Sequence, residues 1–75
     1  MTGRLPSLTA HDVIRVLHRA GFAFHHQRGS HAYYYQVQQN RWATVPMHAG
    51  SIKKGTLQNI VRQSGIGRKQ FLALL

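Results

Sequence analysis

Two aromatic-rich, strand-like runs meet at the tetrapeptide Arg28-Gly29-Ser30-His31, and that junction constrains the middle of the chain more than any other feature. Phe22-Ala23-Phe24-His25-His26 precedes it, and Tyr33, Tyr34, Tyr35 and Val37 follow it; these side chains suit a pleated surface. A turn over residues 28–30, centred on Gly29, folds the two runs against each other, because glycine reaches backbone conformations closed to other residues. Gln39-Asn40 offers a second hairpin turn, weaker than Asn-Gly. Arg41-Trp42-Ala43-Thr44-Val45 reads as a third strand, closed by Pro46, which has no amide to give to a ladder. The result is an antiparallel meander. Alternation along the second strand puts Tyr33 and Tyr35 on one face, and since one face must line the core, at least one tyrosine is structural. The same alternation sends the side chains of His25 and His26 to opposite faces.

Helical spacing flanks the meander. Thr9 reads as an N-cap whose hydroxyl accepts from the amide of Asp12, and Asp12 sits where negative charge suits the helix dipole. Val13, Ile14 and Leu17 form an apolar stripe, Ala20 extends it and Gly21 stops it, which predicts a helix over 10–20. Met47 to Ser51 is a loop. Lys53-Lys54-Gly55-Thr56 leads into Leu57, Ile60 and Val61, a second helical stripe that ends near Ser64 at Gly65. Gly67 opens a short last helix from which Phe71, Leu72 and Leu75 pack onto the core. The fold class is α+β with element order α-β-β-β-α and a short C-terminal helix. A three-stranded antiparallel sheet with helices on one face leaves its other face and its edges open to a partner. Residues 1–75 read as one domain, with 1–6 a loose leader.

The balance of charge narrows the partner. Ten Lys+Arg stand against one acidic side chain, so the formal net charge is 10 − 1 = +9. With 43% hydrophobic residues this is a folded domain rather than a basic tail. Its partner is a polyanion or an acidic protein, and any nucleic-acid affinity falls with salt as counterions compete. A domain of this size buries only about 60% of the surface its unfolded chain exposes, so stability is modest. The sequence has no cysteine, which excludes disulfides and thiolate zinc sites and fits a reducing cytoplasm. No apolar run approaches the roughly 20 residues of a membrane span, so no membrane partner is expected.

His31 is the first candidate for chemistry. An imidazole can take or give a proton near neutral pH, and RNA carries its own nucleophile in the 2′-hydroxyl. Arg28 can stabilise charge developing on an attacked phosphate, Gly29 lets the backbone approach it, and Ser30 can donate a hydrogen bond. The residues equally allow His31 simply to begin the second strand and pair with a neighbouring backbone group. His48, in Val45-Pro46-Met47-His48, is a second proton-transfer or phosphate-binding group if its loop turns toward residues 28–31, and a loop histidine without a role otherwise. Lys53, Lys54 and Thr56 cluster at a helix start, where free amides and the helix dipole favour phosphate. Tyr33, Tyr34, Tyr35 and Trp42 can stack on bases. Metal-dependent nuclease chemistry is disfavoured, because sites for hard cations need several carboxylates and only Asp12 and the C-terminus supply any; no metal and no cofactor is expected.

The ordered set Gly21-Phe22, Arg28-Gly29-Ser30-His31, Val45-Pro46-Met47-His48, Gly55-Thr56-Leu57 with Ile60, and Phe71-Leu72 resembles the HicA family of toxins from bacterial toxin–antitoxin systems. The resemblance runs from about Leu8 onward. It implies a fold like the double-stranded-RNA-binding domain and a metal-independent endoribonuclease that cleaves mRNA. It further implies a HicB-type antitoxin as partner, with no direct DNA binding by the toxin alone. The family's catalytic histidine falls on His31. The chain departs from the family pattern at Ala49-Gly50-Ser51, where relatives often carry more charge, and at Met47, which replaces a frequent basic residue. Two other functions fit the residues alone: a non-catalytic RNA-binding module of the same fold, and a basic protein that only binds an acidic partner.

Overall fold

A computed structural model describes residues 5–75. The elements run α1 (Ala10–Arg19), β1 (Ala23–Arg28), β2 (His31–Gln36), β3 (Arg41–Pro46), α2 (Lys54–Ser64) and α3 (Arg68–Ala73). Of the leader expected over residues 1–6, residues 1–4 lie outside the described part, and Leu5 packs against the core.

Helix α1 begins where its capping residues dictate. The Thr9 hydroxyl accepts from the Asp12 amide at 3.3 Å, and the Asp12 carboxylate accepts from the Thr9 amide at 3.0 Å, a complete capping box. The backbone hydrogen bond from Thr9, then the one to its side chain, holds the Asp12 carboxyl below its ordinary pKa; Arg15 at 3.4 Å adds a smaller pull in the same direction. The sole acidic side chain of the sequence is thus committed to starting a helix. At the far end of α1, Gln36 of β2 donates to the Ala20 carbonyl at 2.6 Å and Arg19 donates to the Leu74 carbonyl at 2.7 Å. These bonds tie the sheet and α3 to the end of α1.

The sheet is antiparallel in the order β1-β2-β3. Alternation sorts its two faces. Ala32 and Tyr34 of β2, with Ala43 and Val45 of β3, join Val13, Val16 and Leu17 of α1 and Leu57, Ile60 and Val61 of α2 in one buried cluster. Phe22 and Phe71 belong to it too, both essentially without exposure, and Leu8, Ala10 and Ile52 complete it. Each fully buried Val, Leu or Phe contributes about 1.5–3 kcal/mol relative to an exposed one, so this layer accounts for most of the stability. Tyr34 is the structural tyrosine, and burial raises its phenol pKa.

Two local expectations are corrected. The loop between β2 and β3 spans residues 37–40 rather than Gln39-Asn40 alone. It closes with the Asn40 amide on the Val37 carbonyl at 3.2 Å, and Asn40 takes a φ of 52°, which Asn tolerates better than most residues. The Asn40 side chain also accepts from the Tyr35 hydroxyl at 2.7 Å. The second correction concerns His25 and His26. The pairing of β1 with β2 skips a residue between Phe24 and His26, a β-bulge. The extra residue breaks the alternation, so both imidazoles sit on one side, with their Nδ1 atoms 2.8 Å apart.

Candidate functional site

The Arg28-Gly29-Ser30-His31 junction is a two-residue hairpin. Gly29 takes a φ of 59° while Ser30 stays at negative φ, the arrangement of a type II′ turn, whose twist matches that of the strands. The turn makes Arg28 and His31 direct cross-strand partners, and directly opposed residues share a face. His31 is also the partner of Pro46 on β3. Arg28, His31 and Pro46 therefore form one row across the end of the sheet, on the face away from the core. The Ser30 carbonyl accepts from the Met47 amide at 2.6 Å, which turns the chain after β3 back toward the hairpin.

Helix α2 supplies the opposite wall. It runs beside the β3 edge, where Gln63 accepts from the Thr44 amide at 3.2 Å. Between the strand edge and the helix lies an open groove of about 430 Å³. His31, Thr44 and Pro46 line it from the sheet, His48, Ile52 and Lys53 from the connecting loop, and Thr56, Asn59, Ile60 and Gln63 from α2. The loop does turn toward the hairpin, and both histidines face one space. Lys53 caps α2 without a side-chain hydrogen bond, and the first turn carries no acidic residue. The helix start thus offers unpaired amides, the positive end of the helix dipole and an ammonium group at the groove.

The expected site residues divide by position. His31, His48, Lys53 and Thr56 meet in the groove. Arg28 stands beside His31 across the hairpin, and Gly29 and Ser30 form the turn that sets this pair. Lys54 does not join them: it borders a separate shallow depression with Leu5, Pro6, Ser7, Ile52 and Leu57. Successive helix positions lie about 100° apart, so neighbouring lysines diverge at a helix start. Asn59 and Gln63 were not foreseen. Their spacing from Thr56, three and seven positions, was the available signal, because it marks one face of a helix. Among the described residues no group of three or more His, Cys, Asp or Glu is gathered as metal ligands, and no helix is long and apolar enough to cross a membrane.

Helices on one face of a three-stranded antiparallel sheet, in the order α-β-β-β-α-α, define a basic α+β domain of the double-stranded-RNA-binding-domain type. A protein-family model described as "HicA toxin of bacterial toxin-antitoxin" matches residues 10–66, from the first residue of α1 to just past the end of α2. The chain belongs to the HicA toxin family of bacterial toxin–antitoxin systems, which implies an antitoxin partner. No curated protein matches it.

Proposed function

We propose that the chain is a metal-independent endoribonuclease that cleaves mRNA, with His31 as its catalytic group and a HicB-type antitoxin as the partner that silences it. One observation carries the reading: His31 opens onto the same groove as His48, Lys53 and the uncapped start of α2. An RNA phosphate seated at the helix start brings its neighbouring 2′-hydroxyl toward the imidazole. His31 accepts the proton of that hydroxyl, the oxygen attacks phosphorus, and the bond to the 5′-oxygen breaks. The products are a 2′,3′-cyclic phosphate and a 5′-hydroxyl, the leaving oxygen taking a proton. His48 is within the groove to give it. Lys53, Arg28 and the helix amides stabilise the negative charge that builds on the phosphoryl oxygens in the transition state.

The reaction uses the RNA's own nucleophile, so it needs no metal-bound water. Composition supports this, since the one acidic side chain is held in the α1 capping box. An acidic antitoxin seated over Arg28, His31 and Lys53 would block RNA by occlusion and by charge. The decisive experiment incubates the purified protein with an mRNA in EDTA beside its His31→Ala variant. Cleavage by the wild type alone is the expected result. Equal cleavage by both removes His31 as the catalyst. Binding by both without cleavage makes the chain an RNA-binding module.

A further inference from the structure

The groove takes in the row of His31 and Pro46 and, at the β3 edge, Thr44, and leaves the rest of the exposed sheet face unexplained. Two further rows follow that of His31 along the strands, each about 6.6 Å from the last. The first is His26, Tyr33 and Thr44; the second is Ala23, Tyr35 and Trp42. Side chains in both rows stand on the same side as His31, because on β2 and β3 they lie two and four residues from its row, and on β1 the bulge makes Ala23 the partner of Tyr35. The bulge adds His25 to this face. His26 stacks on Tyr33 with ring centres 4.5 Å apart and planes within 5°. Tyr35 leans on Trp42 at 4.6 Å, and His25 meets Trp42 edge-on at 4.8 Å.

Among the described residues nothing covers these rings, since α1 and α2 pack on the other face. Trp42 remains 42% exposed, an unusual position for the largest aromatic side chain unless something seats on it. The face carries no carboxylate side chain, because Asp12 lies on α1. Arg28 stands at one end, in the row of His31. A surface that is aromatic in the middle, cationic at the end and free of acidic groups matches a polyanion with flat, apolar bases rather than a purely apolar partner.

We infer that the exposed sheet face is a base-stacking platform for single-stranded RNA, whose bases lie on the His26–Tyr33 and Tyr35–Trp42 pairs while its backbone enters the groove at His31. The inference rests on the ribonuclease reading of that groove and adds the substrate class: the RNA is unpaired next to the scissile bond. In a duplex each base is stacked between its neighbours and offers only its edges, so the platform has nothing to hold. An unpaired strand offers a π-face at every base, and stacking on aromatics is tolerant of sequence. The bulge has a purpose in this arrangement, since it brings a second imidazole to the face against Trp42.

Trp42 is the only tryptophan of the chain, so its fluorescence reports on the platform directly. The wild type and its variants are titrated with a 2′-O-methyl single-stranded oligonucleotide, which lacks the attacking hydroxyl and stays intact, and with the same sequence as a duplex. Affinity is read separately by anisotropy of the labelled strand. The single strand quenches Trp42 and the duplex does not. Trp42→Ala and Tyr33→Ala each weaken single-strand binding roughly 5- to 150-fold, and Trp42→Phe recovers most of the loss. Cleavage of an unmodified strand by His31→Ala at the wild-type rate, with Trp42 still quenched, removes the catalytic reading and leaves the platform standing.

Three results overturn the inference. The strand binds without quenching Trp42 and equally well to Trp42→Ala, or the duplex quenches as strongly as the single strand. Alternatively, sedimentation shows a dimer that Trp42→Ala dissociates while RNA affinity is unchanged, which makes the face an interface between copies. The comparison of single strand with duplex needs no substitution, so it decides the matter even if an alanine variant fails to fold.

Discussion

Gly29 provides a test in which the backbone and the side chain can be separated. Its φ is 59°, and a Cβ built there meets nothing within 4 Å. Any cost of a larger residue is therefore conformational. Replacing Gly29 by L-alanine introduces left-handed strain of about 1–2 kcal/mol. It also restricts the unfolded chain, which offsets about 0.4–1 kcal/mol of that cost. D-alanine carries the same methyl group but prefers positive φ, so it keeps the second effect and avoids the first. The two enantiomers should differ by about 1–2 kcal/mol, or roughly 4–16 °C in Tm for a domain of this size. A chain of 75 residues is within reach of chemical synthesis and ligation. Thermal unfolding followed by circular dichroism then gives the order D-Ala, Gly, L-Ala from most to least stable. Cleavage should follow the same order at temperatures where all three are folded, because the turn sets the Arg28–His31 row. Equal destabilisation by both alanines would refute the reasoning, since it would mean the methyl group and not the backbone is at fault.

Three further outcomes are expected. Thr9→Ala removes the side-chain half of the α1 capping box and costs about 1 kcal/mol in urea unfolding. Asp12 has a lowered carboxyl pKa in the folded chain, so its contribution is complete above its ordinary value of 3.8 and is lost as pH falls through the lower folded value; Asp12→Asn should abolish this acid-side decline in stability. Lys53→Ala should reduce the slope of log affinity against log salt by about 0.7 for single-stranded RNA, while Lys54→Ala, on the other side of the helix start, leaves it nearly unchanged. Equal losses from both lysines would show that their charge acts without regard to position.

The parts of this molecule that were legible in the sequence are those governed by neighbours along the chain. The Thr9–Asp12 capping box, the stripe of Val13 and Leu17, the stop at Gly65 and the turn at Gly29 each depend on a few adjacent residues. Errors arose where a rule of regular geometry was applied through an irregularity. The bulge at His25 has no sequence signature comparable to Asn-Gly, so strict alternation sent the two imidazoles apart. The loop at residues 37–40 was shortened because Val37 reads as a strand residue, whereas in the folded chain it is highly exposed and its carbonyl closes the turn. The groove itself was legible only as parts. That His31 and His48 share a space depends on Met47 reaching Ser30, and that α2 forms a wall depends on Gln63 reaching Thr44. Neither contact has a counterpart in local spacing. Lys53 and Lys54 look equivalent as a charge pair and diverge once the helix turns.

The hydrogen bond from Thr44 to Gln63 also sets an order of events in time. The row of Arg28 and His31 is built by a two-residue turn, and such hairpins form within about 1–10 μs. The facing wall must wait for a contact between residues 19 positions apart, and for α2 to dock on the core. On the ribosome, where the chain grows at about 5–20 residues per second, Gln63 is joined to the chain roughly 2–6 s after His31. Until α2 has docked, the imidazole has no groove beside it. The groove is therefore complete only once the second helix has been made and released.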